Sequence, residues 1–223
     1  MLYNLTPITY DCKIYINRMN QKSVDVDMAA ASKADVKAIY LYSYGGSVDF
    51  SLLEGYPHPG FSPRIFTVEG HIDESISCFL SDNLLQMRIS ENRKIKDLSF
   101  LEKAPHLQKL DLRNLPVITT LPLSKLPQLS ALRISGLHKL TDLEPLAQSN
   151  IQYLDISLSA DKVSATRMAD VMLRMPLLKT LSVGLFSLVQ CKKSPLIRRQ
   201  FEKAGRGDTL TLFSGGYENW PLV

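Results

Sequence analysis

No run of about 18 apolar residues occurs in these 223 residues, so the sequence gives no transmembrane helix. The first residues, Met1-Leu2-Tyr3-Asn4-Leu5-Thr6-Pro7, lack a basic segment followed by an apolar one, so no secretory signal is expected. Cysteine is scarce: Cys12, Cys78 and Cys191 are an odd number, widely spaced, and suit reduced thiols in a cytoplasmic protein better than a disulfide framework. A net charge of +4 is too mild to nominate nucleic acid by itself. No phosphate-binding G-x-x-x-x-G-K-[ST] stretch and no G-x-G-x-x-G turn is present. The four histidines, His58, His71, His106 and His138, have no metal-ligand spacing with one another or with the cysteines, and each is expected in a loop. No catalytic residue, metal or cofactor is therefore assigned, and a non-enzyme is expected.

What the chain has in quantity is apolar side chains, 45% of its residues, at mean hydropathy near zero. That is enough for a core in one elongated domain or two small ones. The apolar residues are periodic across 84–183. Leu84-x-x-Met87-x-Ile89, Leu107-x-x-Leu110-x-Leu112, Leu129-x-x-Leu132-x-Ile134, Ile151-x-x-Leu154-x-Ile156 and Leu178-x-x-Leu181-x-Val183 share one pattern, L-x-x-L-x-L. The middle copies recur at about 22 residues, a repeat in which each unit exposes an apolar face that only the next copy can cover.

These residues resemble the leucine-rich-repeat family, in its 22-residue subtype of internalin-like and phosphatase-regulator-like proteins. The likeness is plainest at 129–154, where Leu137, Leu140, Leu143 and Leu146 follow the strand and Thr141-Asp142-Leu143-Glu144-Pro145-Leu146 resembles the subtype's convex turn. Leu98-Ser99-Phe100-Leu101 and 118–126 take the same place in the two preceding units. The family's inward asparagine has a counterpart at Asn92, whereas Leu115 and Leu137 stand there in the next two units. Other groups must then satisfy the loop backbone. The resemblance implies an α/β fold: a right-handed solenoid with a parallel concave sheet, a convex side of short helices and irregular turns, and a cap at each end.

Three divisions are expected: a cap over 1–35, the solenoid over 36–213, and a capping tail over 214–223. In the cap, Ile14 and Ile16 alternate with polar residues, as do Val24 and Val26, which reads as a hairpin or as a degenerate first repeat. Val36-x-x-Ile39-x-Leu41 begins the array, and Tyr44-Gly45-Gly46-Ser47 reads as a turn. In the next unit Phe66 and Val68 point inward, followed by Ile72, Ile76 and Phe79. The unit after Ile156 is longer and carries a true helix behind a Ser164 N-cap. Ser194-Pro195 reads as the start of a further helix that Gly205 ends, and Leu210 and Leu212 as inward residues of a last strand.

In a parallel stack the residues between the leucines align in columns, strand above strand. The central column reads Tyr40, Thr67, Arg88, Asp111, Arg133, Asp155, Ser182, and the flanking columns include Tyr42, Glu69, Lys109, Arg113 and Tyr153. Tyr40, Tyr42, Glu69, Arg88, Lys109, Asp111, Arg113, Arg133, Tyr153 and Asp155 are the candidate partner-binding residues, since tyrosine and arginine are enriched where interfaces are tightest. The alternative is that the alternating charges neutralise one another as exposed pairs worth about 0–1 kcal/mol each.

The expected role is capture of another protein, such as a toxin to be neutralised in a bacterial cell. A host-directed effector acting on a signalling protein and an adaptor or scaffold are the alternatives. Family members that are ubiquitin ligases append a catalytic domain with a reactive cysteine, for which little chain follows the repeats here. A second class of reading rests on Lys192, Lys193, Arg198, Arg199, Lys203 and Arg206, a basic cluster that could meet nucleic acid or acidic lipid. Arg206-Gly207-Asp208 spells an adhesive tripeptide at an expected helix–strand junction, and Asn4-Leu5-Thr6 a glycosylation sequon.

Overall fold

A computed structural model describes residues 13–17, 38–48, 63–157, 163–184 and 188–213. They form an α/β fold around one open sheet whose nine strands all run parallel and follow one another in chain order. The strands are β1 (Lys13–Asn17), β2 (Ala38–Val48), β3 (Ile65–Ile72), β4 (Gln86–Ser90), β5 (Lys109–Arg113), β6 (Ala131–Ser135), β7 (Tyr153–Ser157), β8 (Thr180–Gly184) and β9 (Leu210–Phe213). Pairing is in register with the repeat: Met87, Leu110, Leu132, Leu154, Leu181 and Leu210 stand side by side, as do Ile89, Leu112, Ile134, Ile156 and Val183. All of them are buried. Each contributes about 1.5–3 kcal/mol of burial, and a slip of one residue would turn the whole row to the other face.

The backbone repeats as strictly as the side chains. At the entrance to each strand one carbonyl accepts two successive amides of the next unit: Leu85 O from Gln108 and Lys109, Gln108 O from Ser130 and Ala131, Ser130 O from Gln152 and Tyr153, Gln152 O from Lys179 and Thr180. Beyond the strands the chain returns through short 3-10 turns at Glu74–Phe79, Ser99–Lys103 and Leu123–Lys125, then through α1 (Glu144–Ala147). Ile76, Phe79, Phe100, Leu101, Leu123, Leu143 and Leu146 pack from these turns onto the leucine rows.

The longer unit carries the expected helix, α2 (Ala165–Leu173), whose N-cap Ser164 accepts a hydrogen bond from the Arg167 amide at 3.2 Å. The last helix, α3, spans Leu188–Lys203, so Ser194-Pro195 does not open it; Pro195 lies inside. A proline there removes one amide, yet Ile197 and Phe201 are buried in the common core and hold the helix in place. Gly205, at φ +69°, ends it: Gly205 N–H donates to Glu202 O and Arg206 N–H to Phe201 O, the paired bonds of a Schellman motif.

Other expectations change or extend. Lys13–Asn17 pairs parallel with Ala38 to Tyr42, which makes the first arm of the expected cap a rung of the sheet. The second arm, Val24–Val26, lies outside the described residues, as do Lys22, Pro57, Pro59 and the tail with Tyr217, Trp220 and Leu222. Tyr44 to Ser47 is strand, not turn; the glycine pair instead marks a shift in register between Ser43 and Val48. His71 sits in β3 and not in a loop.

Loop closure after the strands explains how leucine replaces asparagine. Asn92 is fully buried, donates to Ile72 O at 2.6 Å, and accepts from the Lys94 and Ile95 amides at 2.8 and 2.9 Å. Where Leu115 and Leu137 stand, the corresponding amides of Ile118 and Leu140 turn back onto the Leu115 and Leu137 carbonyls. A local turn thus substitutes for the side-chain bond, and leucine adds apolar burial. Glu91, Asn114 and Gly136, which follow β4, β5 and β6, adopt positive φ, as does Gly70 at the equivalent position within β3. At Gly136 a Cβ would lie 2.1 Å from Asn114 Oδ1 and 3.1 Å from the Asn114 backbone, so crowding as well as φ favours glycine there.

Candidate functional site

Because side chains alternate along a strand, the residues between the leucines lie on the face of the sheet opposite the core. The register aligns Tyr40, Thr67, Arg88, Asp111, Arg133, Asp155 and Ser182 in one column, with Lys109 and Tyr153 in a flanking column and Tyr42, Glu69 and Arg113 in the other. The ten candidate residues therefore share one face. Tyr40, Tyr42, Glu69, Lys109 and Arg113 are half-buried there, and Tyr153 is exposed.

The central charges do pair, but not as the exposed pairs of the alternative reading. Asp111, Arg133 and Asp155 are only 5%, 3% and 8% accessible, whereas the Arg88 side chain is 46% accessible. They form a connected ladder across four strands. Arg88 Nε donates to Asp111 Oδ2 at 3.0 Å, Arg133 Nε donates to Asp155 Oδ2 at 2.8 Å, and an Arg133 terminal nitrogen stands 3.7 Å from Asp111. Arg113, on the same strand as Asp111, donates through Nε at 2.8 Å and through a terminal nitrogen at 2.7 Å. Neighbouring strands hold these groups so close that the side chains shield one another from water. A desolvated network of this kind is costly to break from one side, unlike a surface pair.

Burial also bears on ionisation within the face. It pushes the Asp155 carboxyl above its ordinary range, outweighing the opposing pull of Arg133. It also draws the Lys109 ammonium below its ordinary value. Beside the ladder, Ser90 Oγ donates to Glu69 at 3.4 Å.

The remaining sequence signals separate by location. Arg198, Arg199 and Lys203 are exposed on α3. Arg206 is drawn out of that cluster: its guanidinium donates to Leu173 O at 2.9 Å, Met175 O at 3.5 Å and Leu178 O at 2.8 Å. It clamps the C-terminal end of α2 and the turn after it, so the arginine of the Arg206-Gly207-Asp208 tripeptide is committed to the fold. The side chains of Lys192 and Lys193, and the sequon at Asn4, lie outside what is described. His71, His106 and His138 are exposed, with His106 Nδ1 2.7 Å from Gln128 Nε2, and His58 lies outside the described residues. Among the described residues no group of three or more His, Cys, Asp or Glu side chains could hold a metal ion. Cys78 is a free, half-buried thiol whose pKa burial pushes up to about 12. No helix of the described residues is long and apolar enough to cross a membrane.

The sequence missed two things. It did not show that Arg113 joins the ladder, because the column alternation concealed a same-strand, i+2 contact. It did not show that the central charges are buried, which depends on how closely the strands crowd them. Comparison with protein-family models and with curated proteins finds no match to this chain.

Proposed function

We propose that the chain is a leucine-rich-repeat solenoid acting as a non-catalytic protein-binding module, which captures another protein on the polar face of its sheet. The observation that carries this reading is the in-register polar face, whose central residues are already fixed by ion pairs before any partner arrives. A face fixed in advance loses little side-chain entropy on binding, which favours affinity. Exposed Tyr153 and half-accessible Arg88 supply residue types favoured at interface centres. Within this class, a cytoplasmic bacterial immunity protein that neutralises a toxin is the preferred role, and a host-directed effector or an adaptor the next.

A photo-crosslinking side chain at Tyr153, compared with one at Lys125 on a 3-10 turn away from the sheet, tests the reading in the native cell. The expected result is one stoichiometric partner from Tyr153 and none from Lys125. Capture from Lys125 alone, or nothing from Tyr153, sinks it. The second reading, binding of nucleic acid or acidic lipid through α3, draws on the exposed Arg198, Arg199 and Lys203. It requires affinity that falls steeply with salt and disappears in Arg198→Glu/Arg199→Glu.

A further inference from the structure

Asp111 has a cation on every side of it within the polar face. Arg88 and Arg133 stand opposite it on the two neighbouring strands, and Lys109 and Arg113 flank it two residues away on its own strand. Its carboxylate is spent inward: Oδ1 accepts from Arg113, and Oδ2 from Arg88 and Arg113. Arg133 is balanced in turn by Asp155. The cluster's four cations outnumber its two carboxylates, and Glu69 on β3, next to Ser90 in the register, adds a third carboxylate at its edge. Arg88 carries that excess to solvent. Only its Nε is engaged among the described residues, and this single bond orients the guanidinium while the side chain stays 46% accessible. An oriented arginine fork with open terminal nitrogens is suited to bidentate capture of a carboxylate.

We infer that the cluster around Asp111 is the receptor for a carboxylate-bearing segment of the captured protein, with Arg88 as the anchor and Lys109 and Arg113 as flanking charges. This rests on the protein-capture reading and names the chemistry of its partner. The charge complement favours a protein over a nucleic acid because the positive region is short. Glu69 on β3 and Asp155 on β7 bound it, so a continuous phosphate backbone would run across a carboxylate on either side. An acidic loop or helix end needs only the few strands between them.

The test uses the purified full chain, with the Arg Nε–H signals observed by NMR during titration with hexaglutamate, hexalysine or an oligothymidylate. Hexaglutamate should shift the Arg88 signal saturably, and hexalysine should not. Arg88→Gln should weaken hexaglutamate binding about tenfold or more, as loss of a charge-assisted bond does. Gln86→Glu, which adds a negative charge beside the cluster without touching the ladder, should weaken it too, and Arg198→Glu should leave it unchanged. An unmoved Arg88 signal, affinity unchanged from the parent chain in both cluster variants, or tighter binding of oligothymidylate at Arg88 overturns the inference. The two proposals fail separately. Capture through Tyr153 with no hexaglutamate response at Arg88 removes this inference alone, whereas a hexaglutamate response at Arg88 supports it even if Tyr153 captures nothing.

Discussion

The two faces of the same five-residue strands solve one problem by different means. On one face, Leu110, Leu132 and Leu154 are buried in rows that any apolar neighbour can cover, and burial itself is the stabilising term. On the other, Asp111, Arg133 and Asp155 are almost equally buried, but each needs a named partner of opposite charge. The apolar face tolerates exchange among hydrophobic residues; the polar face tolerates removal of a whole pair better than removal of half of one. Register is set by the first face and used by the second.

The strongest test of that contrast is Arg133→Ala. It leaves Asp155 and Asp111 facing each other without their shared cation and should cost about 3–5 kcal/mol in urea unfolding. Replacing both partners, Arg133→Met with Asp155→Leu, should recover most of that loss; equal damage from the single and the double change would contradict the account of the polar face. Leu132→Ala, one residue away on the opposite face, should cost about 2–5 kcal/mol by opening a cavity, and a second apolar change should not rescue it.

Asn92 sharpens the comparison within one fold, because it does with a side chain what Leu115 and Leu137 do with backbone. Asn92→Ala strips a donor from Ile72 O and an acceptor from two amides, at about 1–3 kcal/mol. Asn92→Leu should do less harm than Asn92→Ala if the loop can adopt the turn seen in the next two units, as a comparison of their unfolding midpoints would show.

The smallest effect is on the acid side. The folded chain holds the Asp155 proton more tightly than the unfolded chain, whose ordinary value is 3.8, so the folded state binds the extra proton between that value and its own raised one. Stability from this group is therefore present at low pH, falls as pH rises through that window, and is flat above it. Asp97 acts in the opposite sense: the Ser99 hydroxyl and amide hold its carboxyl below the ordinary value, so its contribution is lost as pH falls through the folded value. Asp155→Asn should remove the falling limb from a plot of urea midpoint against pH; a limb that persists assigns it to another group.

Much of the architecture was legible because leucine spacing is a direct record of register. The columns of the polar face followed once the strands were placed, down to Arg88 opposite Asp111 and Arg133 opposite Asp155. Legibility failed where backbone geometry overrides composition. Gly45-Gly46 resembles a turn but sits in an irregular strand, and Pro195 resembles a helix start but is carried inside α3 by its buried neighbours. It failed again where function depends on depth: sequence places Asp111 on the face, but only packing shows that its oxygens are consumed and that Arg88 is left to meet solvent.

The claim beneath all of this is that successive units stack in parallel, one strand spacing apart, to build a continuous polar wall. Spin labels placed in pairs at Gln86, Tyr153 and Thr180, which share one column, measure it directly. The Tyr153–Thr180 pair should be the shortest, at about one strand spacing between backbones, with Gln86–Tyr153 at about three and Gln86–Thr180 at about four, each spacing being ~4.8 Å. Distances that rise in that order support the wall; distances that do not increase with the number of intervening strands would contradict it.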